Sequence, residues 1–330
     1  MSKDDKKNLL MPSGIIDLIN DRAYKEFYLT QVLMSNFMEN GYKITTPPLI
    51  EFEENFKFAM KEVNLDNIFR LSDPVSNKLL YIRNDITPQI ARIASTKLKA
   101  SPRPLRLSYT GDVLRSQGNQ LHPERQFRQA GIELYGAQHE NAAIEVINIG
   151  IQTLQKANVG SLILDLTTPS LSNIILNDSK LDIESIKLAK LYLKIKDYKG
   201  LRNIPVCGKT LSIITESAGE EKRAIKILSK IDLPVKANKL IKKLIKICAG
   251  IKKTNNDIQI TIDPVENRGF GYYSGIGFAI FSSSIKRELG FGGQYFINTN
   301  GKQENGMGLS ILFDGLLRAS KLTRDNILKI

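Results

Sequence analysis

Apolar residues first recur with a regular period over residues 15–39, where Ile16, Ile19, Ala23, Phe27, Leu29, Val32, Leu33 and Phe37 return at three- and four-residue intervals. That period predicts an amphipathic helix, stopped at Gly41. "GYKITTPPLIEF" then reads as extended chain interrupted by Pro47 and Pro48. The run "LLYI" predicts a strand, and the Thr87-Pro88 pair after it predicts the N-cap and first position of a helix. "PLRLSYTGDVLR" and "FRQAGIELYGA" alternate as two antiparallel strands joined by the polar loop "SQGNQLHPERQ". A helix follows with Ala142, Val146, Ile149 and Leu154 on its apolar face, then a strand, "SLILDLT". Residues 169–254 are rich in Lys, Ile and Leu at helical spacing. Four more strands are expected at "DIQITIDP", "GFAIFSS", "LGFGGQYF" and "MGLSILF", and a short helix at "DGLLRASKL". Helices grouped about antiparallel strands place the chain in the α+β class.

Composition narrows the function. With 330 residues, 42% of them hydrophobic and 25% charged, the chain is expected to fold as an ordinary globular protein with a substantial core. No apolar run is long enough to span a bilayer, and "MSKDDKKNLLMPSG" lacks the apolar stretch of a secretory leader. Two histidines (His122, His139) and two cysteines (Cys207, Cys248), with no CxxC pair, argue against a metal site and for a reduced, cytoplasmic setting. The net charge of +13 could suggest nucleic acid. Much of the lysine, however, lies within residues 187–253, as in "KANKLIKKLIKI", where it marks the wet faces of amphipathic helices. No specific nucleic-acid partner is expected.

Several polar residues stand where a sheet face would ordinarily be apolar. Arg83, Asp85 and Thr87 close a strand, Arg115 ends another, and Gln129 and Glu133 lie four apart, hence on one face. Arg268, Tyr272 and Tyr273 sit in the glycine-rich loop "VENRGFGYYSGIGF". Each has an ordinary explanation: Glu133 with Arg115 as a cross-strand pair, Asp85 as a helix cap, the tyrosines as core aromatics. Gathered on one sheet, two acids, an amide and two arginines would be costly to bury without a polar guest. A zwitterionic amino acid is the natural candidate.

The order of these motifs resembles the catalytic core of histidyl-tRNA synthetases, a class II family. "GYKITTPPLIEF" resembles motif 1, "GDVLRSQGNQLHPERQFRQAGIELYG" motif 2, "MGLSILFDGLL" motif 3, and "NRGFGYYSG" the family's histidine signature. The departures follow a pattern. Gly315 stands where motif 3 carries its ATP-facing arginine, Leu312 replaces a motif glycine, and Glu124 lies where a cation meets the triphosphate. Gly271 replaces the signature aspartate. With sixteen residues after Asp314, no anticodon-binding domain is expected.

An amino-acid pocket kept without its nucleotide grip resembles the synthetase-like regulatory subunits of ATP phosphoribosyltransferase. The resemblance implies a core in two parts, residues 1–168 and 255–330, around a helical insertion at 169–254. It also implies a non-catalytic chain without cofactor or metal that dimerises within a hetero-oligomer. There it would activate a short-form catalytic subunit and confer inhibition by histidine at the first step of histidine biosynthesis. Residue by residue, Asp85, Thr87 and Gln129 would take the ligand's ammonium, Arg268 its carboxylate, and Glu133 with Tyr273 its imidazole, with Tyr272 and Arg115 alongside. The alternative is a divergent histidine-activating enzyme.

Overall fold

The computed structural model describes residues 11–55, 67–118, 123–266, 273–285, 287–299 and 301–323. Arg268, Tyr272 and His122, on which sequence expectations rested, lie outside the described residues.

Helix α1 spans Asn20–Glu39, five residues shorter than its apolar period. Asn20 itself has φ +50°, a left-handed conformation that asparagine tolerates but that interrupts the helical path. Ile16 and Ile19 therefore remain outside the helix and about half or more exposed, while Leu29, Leu33 and Phe37 are fully buried. At the other end Gly41 takes φ +81°. Its N–H donates to the Met38 carbonyl and that of Tyr42 to the Phe37 carbonyl, which closes the helix as a Schellman turn.

The main sheet has nine strands in the order β1-β5-β6-β12-β11-β10-β7-β9-β8. Its centre is antiparallel: β5 (Leu105–Leu114), β6 (Gln126–Tyr135), β12 (Lys302–Leu312), β11 (Glu288–Thr299), β10 (Gly277–Ser282) and β7 (Leu162–Thr167). The periphery departs from the expected all-antiparallel pairing. β1 (Lys43–Ile44) joins β5 in parallel, and β9 (Gln259–Asp263) joins β7 in parallel. The second crossover is possible because a long helical stretch separates β7 from β9, and a parallel connection needs such a length. A small sheet, β2-β4-β3 (Ile50–Phe52, Leu79–Ile82, Phe69–Ser72), leads into α2 (Thr87–Ser95).

Period-two alternation sorts the strand residues onto two faces. Ala130, Ile132 and Leu134 of β6, with Leu309 and Ile311 of β12, enter a large core shared with α1 and with α3 (His139–Lys156). The opposite face carries a smaller core in which Tyr109, Tyr135 and Tyr295 pack with Ile86, Ile90 and Ala94 around α2.

Six helices lie between β7 and β9: α4 (Leu171–Asp178), α5 (Ile183–Lys194), α6 (Tyr198–Arg202), α7 (Gly208–Glu216), α8 (Glu221–Leu228) and α9 (Val235–Thr254). A two-residue strand, β8 (Gly219–Glu220), interrupts them. Their apolar faces, with Leu201, Leu211, Leu244 and Ile251 all buried, belong to the same continuous core as the sheet. Contact between α9 and α3 is close: a Cβ at Gly250 would lie 2.4 Å from Ile144 Cδ1. On another side of α3, a Cβ at Gly150 would lie 2.8 Å from Leu309 Cδ2 of β12.

Candidate functional site

The register of three central strands sets the site. Glu133 of β6 lies opposite Gly308 of β12, and Gly308 opposite Gly293 of β11. One carboxylate thus borders two positions without side chains. Space at Gly308 is taken by the acid itself, since a Cβ there would fall 2.1 Å from Glu133 Oε2. Over Gly293 lies the Tyr273 ring, whose Cδ1 a Cβ would meet at 2.9 Å.

Glu133 is fully buried. Its Oε2 accepts a 2.5 Å hydrogen bond from the Tyr295 hydroxyl, which in turn bonds that of Tyr135 at 2.9 Å. Oε1 has no partner among the described residues. Burial pushes the carboxyl up to about 8, against the opposing effect of hydroxyls from Tyr295, Thr87 and Tyr109, while nearby Asp85 raises it further. A buried acid with an unused oxygen is expensive unless a donor arrives to meet it.

Next to this acid lies a polar relay. Gln129 Nε2 donates to Asp85 Oδ1 and to Ser310 Oγ, both at 2.8 Å, and its Oε1 accepts from the Ile86 N–H. Ser310 also bonds the Tyr109 hydroxyl at 2.9 Å, and Tyr109 approaches Thr87 Oγ1 at 3.3 Å. Asp85 Oδ1 accepts from the Thr87 N–H. The helix begins at Thr87 itself with Ile86 as its N-cap, one residue earlier than expected and without a side-chain cap; Asp85 holds the Thr87 N–H from just outside it, and the Thr87 hydroxyl points to Tyr109.

Asp85, Thr87, Gln129 and Glu133 are thus brought into one network. Among the described residues, Arg115 is not joined to it by hydrogen bonds. Its guanidinium sits 4.7 Å from the Phe127 ring centroid, burial lowers its pKa, and Asp85, Asp314 and Glu288 attract it. The cross-strand pair of Arg115 with Glu133 does not form. Leu107 is the residue opposite Glu133, and Arg115 lies eight residues further, roughly 26 Å along the strand. Arg83 is committed to structure: it donates to the carbonyls of Asp112 at 2.8 Å and Pro47 at 3.0 Å.

The sequence reading missed Tyr109, Tyr295 and Ser310. Tyr295 lay in a segment read as a strand and Ser310 in one read as a strand and as motif 3, and nothing in one strand announces what faces it across two others. Glycine alternation was the usable signal. Gly131 gives room to the Tyr109 hydroxyl (2.4 Å from a would-be Cβ) and Gly306 to the Tyr295 ring (2.9 Å).

The region named for phosphate contacts is self-neutralised. Glu124 accepts from Arg318 Nη2 at 2.6 Å and from Arg287 Nη1 at 3.0 Å, and Asp314 stands 3.5 Å from the same Arg287 nitrogen. Those two arginines were not singled out from sequence. At Gly315 a Cβ would lie 3.0 Å from the Glu288 carbonyl oxygen, so a larger residue there would need that backbone to give way. Among the described residues no group of His, Cys, Asp or Glu is placed to hold a metal. Cys207 and Cys248 are buried and free, with burial pushing the Cys248 thiol up to about 12. No described helix is long and apolar enough to cross a membrane.

A mixed sheet carrying a buried acid, an aspartate-glutamine relay and helix α2 on the same face is the frame of a class II synthetase core. The histidyl-tRNA synthetase family profile matches residues 14–316. In sequence, the chain is 34% identical over 309 residues to the ATP phosphoribosyltransferase regulatory subunit of Rhodospirillum rubrum, covering 93% of this chain and 80% of that one. The chain belongs to the family of ATP phosphoribosyltransferase regulatory subunits. Solved structures agree in fold. An ATP phosphoribosyltransferase regulatory subunit/histidyl-tRNA synthetase from Bacillus halodurans superposes with a TM-score of 0.82 at 20% identity, covering 95% of this chain and 84% of that one. A chain of the HisG:HisZ ATP phosphoribosyl transferase complex from Thermotoga maritima gives 0.68 at 20% identity, over 88% and 97%.

Proposed function

We propose that this chain is the non-catalytic partner of a short-form ATP phosphoribosyltransferase, raising its turnover and making it sensitive to free histidine. In this reading it dimerises and joins the catalytic subunit in a cytoplasmic hetero-oligomer, with residues 169–254 as an insertion in a core formed by 1–168 and 255–330. Histidine lies beside the Glu133 carboxyl. Asp85, Thr87 and Gln129 receive its ammonium, Glu133 receives an imidazole N–H on its unused oxygen, and Arg268 takes the carboxylate. Tyr272, Tyr273 and Arg115 flank it. The observation that carries the reading is Glu133: a fully buried carboxyl with one unsatisfied oxygen beside two glycines suits a donor-bearing ligand.

Inhibition requires that histidine favour one assembly state over another, because equal affinity for both shifts nothing. A coupling of about 1–3 kcal/mol corresponds to roughly 5- to 150-fold. The test is turnover of the reconstituted complex with and without histidine. Inhibition should weaken strongly on Arg268→Ala, and unchanged inhibition would refute the assignment of the pocket. The synthetase-like alternative is separated by histidine-dependent exchange of pyrophosphate into ATP by the pure chain. The Glu124 bridge to Arg287 and Arg318 argues that none occurs, since those cations are already neutralised.

A further inference from the structure

The chain's charge is not spread evenly. Residues 169–254 hold nineteen lysines and arginines against eight carboxylates, a net of +11 out of +13. The rest of the chain, with 28 basic and 26 acidic residues, is almost balanced. A general taste for lysine would have raised both parts, so the excess is local to the helical segment. All nineteen cations but Lys243 and Lys252 are exposed.

Within that segment α7, α8 and the turn after α8 line an open cleft of about 750 Å³, within the size range of small-molecule sites. Lys209 of α7 lines it on one side and Arg223 and Lys226 of α8, with Lys230 in the turn that follows, on the other, together with Ile213 and Ile227. Arg223 and Lys226 share one helix face, being three residues apart, and Lys230 follows two residues beyond the helix end. Arg223 is held by carbonyls and not by an acid: its Nη1 donates to Ala218 O at 3.1 Å and its Nη2 to Glu216 O at 3.0 Å. The Glu216 carboxylate is itself turned to Arg202 at 2.6 Å. Among the described residues the Glu220 carboxylate accepts from the Arg223 backbone N–H alone, and Asp232 is the one acid lining the cleft. No ion pair involves Lys209, Lys226 or Lys230 among the described residues. Four cations lining one open cleft against one acid repel one another, and an anion of several charges relieves that repulsion.

We propose that this cleft binds the linked phosphates of a small anion, of the tripolyphosphate kind carried by nucleoside triphosphates. Lysine ammoniums and one carbonyl-oriented guanidinium supply point charges for several phosphoryl groups, and the isoleucine floor offers an apolar surface beside them. This site is separate from the Glu133 pocket and does not depend on what binds there.

The experiment is calorimetric titration of the full chain with inorganic tripolyphosphate at constant ionic strength, against the double variant Lys226→Gln, Lys230→Gln. Glutamine keeps helix propensity, and unchanged circular dichroism checks the fold. One saturable site per chain is expected, weakened by about tenfold or more in the variant. Equal affinity in both proteins, or no saturable binding, overturns the proposal. So does tight, steeply salt-dependent binding of single-stranded RNA with no saturable tripolyphosphate site, which would make the face a nucleic-acid surface instead.

Discussion

Glu133→Gln removes one proton-binding group and almost nothing else, and its effect on stability can be worked out. In the folded chain burial holds this carboxyl at about 8, whereas in the unfolded chain a glutamate titrates near ~4.3. A group raised on folding contributes stability that is complete below the unfolded value and is lost as pH rises through the folded one. Between these limits the native state keeps a proton that the unfolded state has released. Each pH unit then costs about 1.4 kcal/mol, so from pH 5.5 to 7.5 the wild-type chain should lose about 2.7 kcal/mol through this residue. Glutamine does not titrate, and every other group is common to both proteins, so the difference between the two pH profiles isolates Glu133. Urea unfolding of both proteins without histidine, at pH 5.5, 6.5 and 7.5, makes the comparison. Parallel profiles would refute the reasoning, because they would mean that Glu133 ionises as freely in the fold as outside it.

Other outcomes follow from neighbouring residues. Tyr295→Phe deletes the donor to Glu133 and strands the Tyr135 hydroxyl; a loss of about 1–3 kcal/mol in unfolding free energy is expected, with the Glu133 titration moved further upward. Gly308→Ala places a methyl 2.1 Å from Glu133 Oε2, and histidine inhibition of the reconstituted enzyme should largely disappear while the chain still joins the complex on a sizing column. Leu244→Ala, in the fully buried face of α9, should cost about 2–5 kcal/mol by leaving a cavity, seen as a lower urea midpoint. If histidine meets Glu133 as its carboxylate, titrations near pH 7 in buffers of different ionisation enthalpy should reveal net proton release from the protein on binding.

Local periodicity made much of the fold legible. The β5 and β6 strands, the apolar face of α3 and the run of helices between β7 and β9 all followed from spacing, and Gln129 and Glu133 share a face because two is the strand period. Pairing was less legible. The parallel seams of β1 with β5 and β9 with β7 depend on which strands meet, and alternation within one strand does not encode that. The apolar positions Ile16 and Ile19 extended a helical period past the point where Asn20 turns left-handed. At the site, Asp85, Thr87, Gln129 and Glu133 could be picked out as polar residues in apolar company. Their partners Tyr109, Tyr295 and Ser310 could not, since each comes from a different strand, and only the register of the folded sheet brings them together.

Helix α3 is in close contact on both sides. Ile144 fills the notch at Gly250, and Gly150 admits the Leu309 side chain. Leu309 and the Gly308 that borders Glu133 are consecutive residues, pointing to opposite faces of one strand. Those contacts end on methyl tips that can turn aside, so a small tilt of the lysine-rich helices against α3 is taken up by side chains first. A larger tilt presses through Gly150 on Leu309, the sequence neighbour of the glycine beside the buried acid, and so couples the helical segment to that strand.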